Sequence, residues 1–186
     1  MGRPKLILPI DGQTVISRVV STLIAGGIRQ VIVVVPPIDA PGASILANEA
    51  EASGALVLVP SERPADMRGS FERALEHLLN GSSPASILLI PGDSLGIEAS
   101  VVAGLIERAS ERPDSILIPT FQGRRGHPIV MPWALALGVQ KLPEGAGINS
   151  LIALQAERVT EVEFDRPGVL DDLDTPDDYE RWVEAR

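Results

Sequence analysis

The sequence predicts an α/β domain with a mostly parallel sheet covered by helices on both faces. Three observations carry that expectation. Short apolar runs alternate with helical patterns of about three turns, four of the runs end at proline, and 186 residues is the length of one domain. A strand followed by a helix and another strand needs a crossover, which sets the two strands parallel.

The runs at 31–35, 55–59, 86–90 and 115–118 have almost no polar alternation, as strands buried on both faces do. Pro36, Pro60, Pro91 and Pro119 follow them closely, and a residue without an N–H cannot extend a ladder. A fifth run at 158–164 adds a strand, and the loop 119–132 is expected to return through a short strand at 129–131. Helical stripes lie between. Residues 14–25 place Val15, Ile16, Val19, Val20, Leu23 and Ile24 on one face and stop at Gly26-Gly27. Residues 69–79 do so with Phe71, Leu75, Leu78 and Leu79, and residues 98–109 with Val101, Val102, Leu105 and Ile106. Shorter helices are expected at 148–155 and 176–182. There is no internal repeat, so residues 1–186 read as one domain.

Composition narrows the function. The net charge of -9 argues against broad nucleic-acid contact, which needs a positive surface to displace counterions. The chain has no cysteine, which removes disulfides, thiolate zinc sites and cysteine nucleophiles. No apolar run approaches the roughly 20 residues that cross a bilayer. The expected compartment is the cytoplasm, with no membrane partner.

Ligands of open α/β sheets bind beyond the C-terminal ends of the strands, which points to Pro91-Gly92-Asp93-Ser94. Asp93 there is either a ligand for Mg²⁺, which prefers oxygen, or a cap for the next turn. Asp172 and Asp174 would share one face of an extended segment and could complete a metal site with Asp93. Equally, Thr175-Pro176-Asp177-Asp178 makes a capped helix start. Arg3, Lys5, Arg124, Arg125 and His127 are the basic candidates for an anion, and Gly69-Ser70 resembles an anion-binding helix start. His127 reads as a hydrogen-bond donor or as a structural histidine, and His77, within a helix, as a structural or surface residue.

Several of these pieces coincide with a known family. Met1-Gly2-Arg3-Pro4-Lys5, Leu8-Pro9-Ile10-Asp11-Gly12, Met67-Arg68-Gly69-Ser70 and Gly92-Asp93 occur in order along the chain. Gly123-Arg124-Arg125-Gly126-His127-Pro128 and Asp172-Leu173-Asp174-Thr175-Pro176-Asp177-Asp178 follow them. The sequence thus resembles the MobA-like nucleotidyltransferases, especially the molybdenum cofactor cytidylyltransferase branch. That resemblance implies a three-layer Rossmann-like nucleotidyltransferase fold and an Mg²⁺-dependent transfer of a nucleotidyl group from CTP or GTP to a phosphorylated acceptor. It implies that Lys5, Asp93 and Asp174 are catalytic. Asp93, Asp172 and Asp174 would be metal ligands, and Arg3, Lys5, Gly69, Ser70, Arg124 and His127 would bind nucleotide or acceptor. By the same resemblance Ser70 would lie near the base or sugar, and Gly126, His127 and Pro128 would shape the acceptor side.

The departures are specific. Family members open with a hydrophobic strand and a Leu-Ala-Ala-Gly-x-Ser-x-Arg loop ahead of the stretch that here begins Met1-Gly2, and this sequence has neither. Gly92-Asp93-Ser94-Leu95 lacks the proline that follows the family's metal-binding Asp, and Gly147-Ile148-Asn149-Ser150 departs from Gly-Ala-Arg. The first strand would sit mid-sheet, and its loss would expose strand edges at a cost comparable to a net stability of roughly 5–15 kcal/mol. A late-placed translation start is therefore favoured over a short protein with a rearranged sheet, whose edge would encourage a homodimer. The rival functional readings are a catalytically impaired nucleotide-binding or regulatory protein and a sugar-phosphate nucleotidyltransferase.

Overall fold

The computed structural model describes residues 4–81, 83–173 and 175–184. A 3-10 turn at Lys5–Ile7 leads to the hairpin of β1 (Pro9–Ile10) and β2 (Gln13–Thr14), and α1 (Val15–Ala25) follows. The chain then runs through β3 (Ile32–Val34), α2 (Ala43–Ala52), β4 (Leu56–Leu58), α3 (Met67–Leu79), β5 (Ser86–Leu89) and α4 (Ala99–Glu111). Its second half holds β6 (Ile116–Phe121), β7 (Arg124–Arg125), β8 (Ile129–Pro132) and α5 (Trp133–Ala136). It finishes with α6 (Ile148–Leu154), β9 (Val159–Glu163) and α7 (Pro176–Glu184).

The strands form three layers with their helices, as side-chain alternation requires. Leu88 of β5, Leu117 of β6 and Val130 of β8 point to one core, filled by Val19, Leu23, Leu46, Val101 and Leu105 from α1, α2 and α4. Their neighbours Ile87, Leu89, Ile116, Ile118, Ile129 and Met131 point to a second core, against Phe71, Leu75, Leu151 and Ile152 from α3 and α6. Both faces of the sheet are thus buried under helices, which is why the strand sequences lack polar alternation.

Pairing is more mixed than the sequence pattern predicts. β3 and β4 pair in parallel as a ladder of their own. The larger sheet has five strands: β5 pairs β8, β8 pairs β6, and β6 carries both β7 and, in parallel, β9. The loop after β6 folds back on itself, so β8 runs antiparallel to both β5 and β6. Among the described residues no ladder joins β3 to β5. Val33 and Val57 instead pack into the same core as Leu88.

One helix went unread in the sequence. The buried stripe of α2 is Ala43, Leu46, Ala47 and Ala50, and so much alanine gives little hydrophobic contrast between faces. Its place is fixed by Glu49, whose Oε2 accepts from the Thr14 and Ser17 hydroxyls at 3.0 Å each. Thr14 also caps α1, accepting from the Ser17 N–H at 3.3 Å. The expected start of α7 is present as a reciprocal cap: the Asp178 N–H donates to Thr175 Oγ1 at 3.1 Å, and the Thr175 N–H to Asp178 Oδ2 at 2.7 Å. Among the described residues no helix is long and apolar enough to cross a membrane.

The segment before α7 threads through a tight passage above the strand ends. It makes a 3-10 turn at Pro167–Leu170 rather than a fully extended run, and becomes extended only beyond it. A Cβ on Gly168 would lie 1.9 Å from the Gly96 carbonyl oxygen, and one on Gly126 would lie 2.0 Å from that of Val169. Backbone meets backbone at both points, so neither neighbour has a side chain that can move aside. Gly168→Ala and Gly126→Ala should each destabilise the fold by about 2–3 kcal/mol in urea unfolding. Gly147→Ala, where an added Cβ meets nothing within 4 Å, should change stability little.

Candidate active site

Three pieces of chain meet where β5 and β6 end. The first is the N-terminal turn. Leu6 packs over Gly92, at 3.4 Å from where a Cβ would stand. This sets Lys5 above the loop that follows β5, and its ammonium forms an ion pair with Asp93 Oδ2. The Asp93 side chain is 13% exposed and that of Lys5 38%, so the carboxylate is recessed and the lysine faces solvent.

The C-terminal segment is the second piece. Ser94 is buried and donates its hydroxyl to Asp172 Oδ1 at 2.8 Å, while the Leu173 N–H donates to the Asp93 carbonyl at 3.1 Å. These two bonds bring the loop of Asp93 and the segment of Asp172 side by side. Asp171, next door, has its carboxyl raised by burial, with Arg181 opposing that shift.

His127 belongs to the third piece, the return between β7 and β8, and reaches Pro128 through a cis peptide bond. Its N–H donates to the Val169 carbonyl at 2.8 Å. Burial pushes the imidazole below its ordinary value, and the negative charges of Asp172 and Asp93 partly offset that. Nδ1 is buried and has no hydrogen-bond partner among the described residues. Beside His127 opens a cavity of about 460 Å³. Ile118, Ile129 and Val159 of the sheet, Asn149, Ile152 and Ala153 of α6, and Arg125 and Gly126 help to line it. That volume accommodates an organic body larger than a phosphate group.

The sequence-predicted residues divide clearly. Lys5, Asp93, Asp172 and His127 come together. Arg124 lies exposed on β7, and Arg125 is committed to Glu161 at 2.7 Å. Gly69 and Ser70 lie inside the first turn of α3, which Asp66 caps by accepting from the Gly69 N–H at 2.9 Å. A carboxylate therefore already serves that helix start. Arg3 and Asp174 lie outside the described residues. His77 is on the surface, as expected.

Among the described residues no group of three or more His, Cys, Asp or Glu could hold a metal ion. Asp93 and Asp172 still suit a hard divalent cation, because one ion pair or one hydrogen bond occupies only part of a carboxylate's lone pairs. Mg²⁺ is commonly held by one or two carboxylates, with phosphate oxygens and water completing the shell. Sequence reasoning did not single out Ser94, whose only signal is its place next to Asp93. Nothing in the pattern marks Gly96 and Gly168.

Residues 1–160 match the MobA-like NTP transferase domain. The chain belongs to that family. No match was found among curated proteins. Among solved structures, the manganese complex of Rv0371c from Mycobacterium tuberculosis H37Rv is 25% identical, with a TM-score of 0.78 over 98% of this chain and 93% of that one. A nucleotidyl transferase from Methanothermobacter thermautotroptrophicus is 21% identical, with a TM-score of 0.78 over 97% and 84%. The 2-C-methyl-D-erythritol 4-phosphate cytidylyltransferase from Thermus thermophilus is 19% identical, with a TM-score of 0.71 over 98% and 93%. These likenesses bear out the nucleotidyltransferase fold expected for a MobA-like chain.

The histidine gives this MobA-like domain a pH signature. Folding lowers its proton affinity, so its contribution to stability is complete above the unfolded value of about 6.5 and is lost as pH falls through that value toward the folded one. Glu163 is also lowered, by the Thr120 hydroxyl first and the Gln122 N–H second, but from a value of 4.5, which puts its effect at more acidic pH. The urea midpoint should therefore drop as pH falls below about 6.5, and His127→Gln should flatten that limb.

Proposed function

We propose that this MobA-like domain transfers a nucleotidyl group, CMP by preference, from a nucleoside triphosphate to a phosphorylated acceptor such as molybdopterin, with Mg²⁺ as cofactor. The observation that carries the reading is the meeting of Lys5, Asp93 and Asp172 at the strand ends through the Ser94–Asp172 hydrogen bond. The family description supports a nucleoside triphosphate as donor. The manganese in Rv0371c supports a divalent cation in this fold, and the Thermus enzyme supports cytidylyl transfer as a chemistry the fold can serve.

Asp93 and Asp172 would hold the cation, which supplies charge neutralisation to phosphate oxygens. An acceptor phosphate oxygen attacks the α-phosphorus in line, the bond from that phosphorus to the bridging oxygen breaks, and pyrophosphate leaves. The acceptor oxygen is already anionic, so no strong general base is required. Lys5 contributes a compact positive charge beside the polyphosphate. The cavity beside His127 takes the acceptor's organic body, and the neutral imidazole adds no positive charge there.

Pyrophosphate release from CTP and from GTP, with molybdopterin and with a sugar phosphate, tests the reading. Turnover with CTP and molybdopterin should need a divalent cation and stop with EDTA. Asp93→Asn and Asp172→Asn should each lower kcat by about 100-fold or more while the circular dichroism spectrum stays that of the wild type. Full activity in Asp93→Asn, or turnover with sugar phosphate alone, would overturn the assignment.

A further inference from the structure

The short helix α6 supplies one wall of the cavity through Asn149, Ile152 and Ala153, and its own sequence does little to hold it in place. It has seven residues and starts at Gly147 without a side-chain cap. A helix so short depends on packing for its stability. Ile148, Leu151 and Ile152 provide that packing on the core side. The loop ahead of it presents a run of carbonyl groups, and a single side chain from another element gathers them.

That side chain is Arg68, in the first turn of α3. Its Nη1 donates to the Pro143 carbonyl at 2.7 Å and to that of Ala146 at 2.8 Å, and its Nη2 to that of Leu142 at 3.2 Å. Nε completes the fork on Glu72 Oε1 at 2.8 Å, one turn along the same helix. The side chain is 16% exposed, and its bonds to Leu142, Ala146 and Glu72 are partly buried while the one to Pro143 is exposed, so a charged donor counts for more here than on an open surface. Three carbonyls within five residues of loop converge on one planar cation. A flexible surface contact would not give this arrangement.

We infer that Arg68 is a positioning residue: it fixes the loop 142–146 against α3 and so sets where α6 stands as the cavity wall. This rests on the nucleotidyl-transfer reading of the site. Arg68 touches neither Asp93 nor Asp172, so it acts on the acceptor side alone. Lysine cannot replace it, because an ammonium lacks the planar fork that reaches three carbonyls in fixed directions.

Two arms test the inference on the full chain. In hydrogen–deuterium exchange without substrate, Arg68→Ala should speed exchange in 142–154 and leave α1 and β6 as in the wild type. Guanidinium at tens of millimolar should restore protection, and Arg68→Lys should resemble Arg68→Ala. In the kinetic arm, with CTP and molybdopterin, KM for molybdopterin should rise by about 10-fold or more in both variants. KM for CTP and kcat should stay within about two-fold, and guanidinium should recover the loss in Arg68→Ala. Faster exchange spread over α1 and β6, wild-type behaviour of Arg68→Lys, or an equal rise in both KM values would overturn the inference. If the wild type does not turn over molybdopterin, the nucleotidyl-transfer reading fails by itself, and the exchange arm still decides whether Arg68 sets the wall.

Discussion

The site depends on a steric constraint more than on any charge: the backbone of the segment at Gly168 passes directly against that of Gly96, and Val169 against Gly126. Only at such separations can Asp172 come within reach of the Ser94 hydroxyl, and His127 within reach of the Val169 carbonyl. Residues from β5's loop, from the return ahead of β8 and from the far end of the chain are thereby held together above the strand ends. A parallel sheet leaves that end open for ligands. The crossing segment turns the opening into a walled site.

Electrostatics then divides the site into two zones. Around Asp93, a recessed carboxylate and a solvent-facing lysine stand together, an arrangement suited to a phosphate chain with its cation. Around His127, burial lowers the imidazole's affinity for a proton, and Arg125 is paired with Glu161. On the proposed function, a protein of net charge -9 receives a polyanion through positive charge placed locally, at Lys5. On that same proposal, a polyphosphate and an organic body would meet at the boundary between the zones.

Much of the fold was legible because burial on both faces leaves its mark on sequence. Uniformly apolar strands, prolines at their ends and wide helical stripes all follow from a sheet covered on two sides. α2 escaped because alanine is small enough to lie against the sheet without forming a contrasting stripe. The place of Asp93 beyond a strand end was legible for a similar reason, since it follows β5 closely. At Gly69 and Ser70 the sequence announces the N–H groups of a helix start, but it does not say that Asp66 has already taken one. The Arg68 fork spans 74 to 78 positions, and contacts at that range leave no periodic trace.

The pairing pattern of the strands has a mechanical consequence. The ladder of β3 and β4 shares a hydrophobic core with the five-stranded sheet, but among the described residues the two are joined through side chains and no backbone rungs. Side-chain cohesion is short-ranged and yields to small displacements, whereas rungs resist shear along a strand. Packing at Val33, Val57 and Leu88 therefore carries the cohesion between the two ladders.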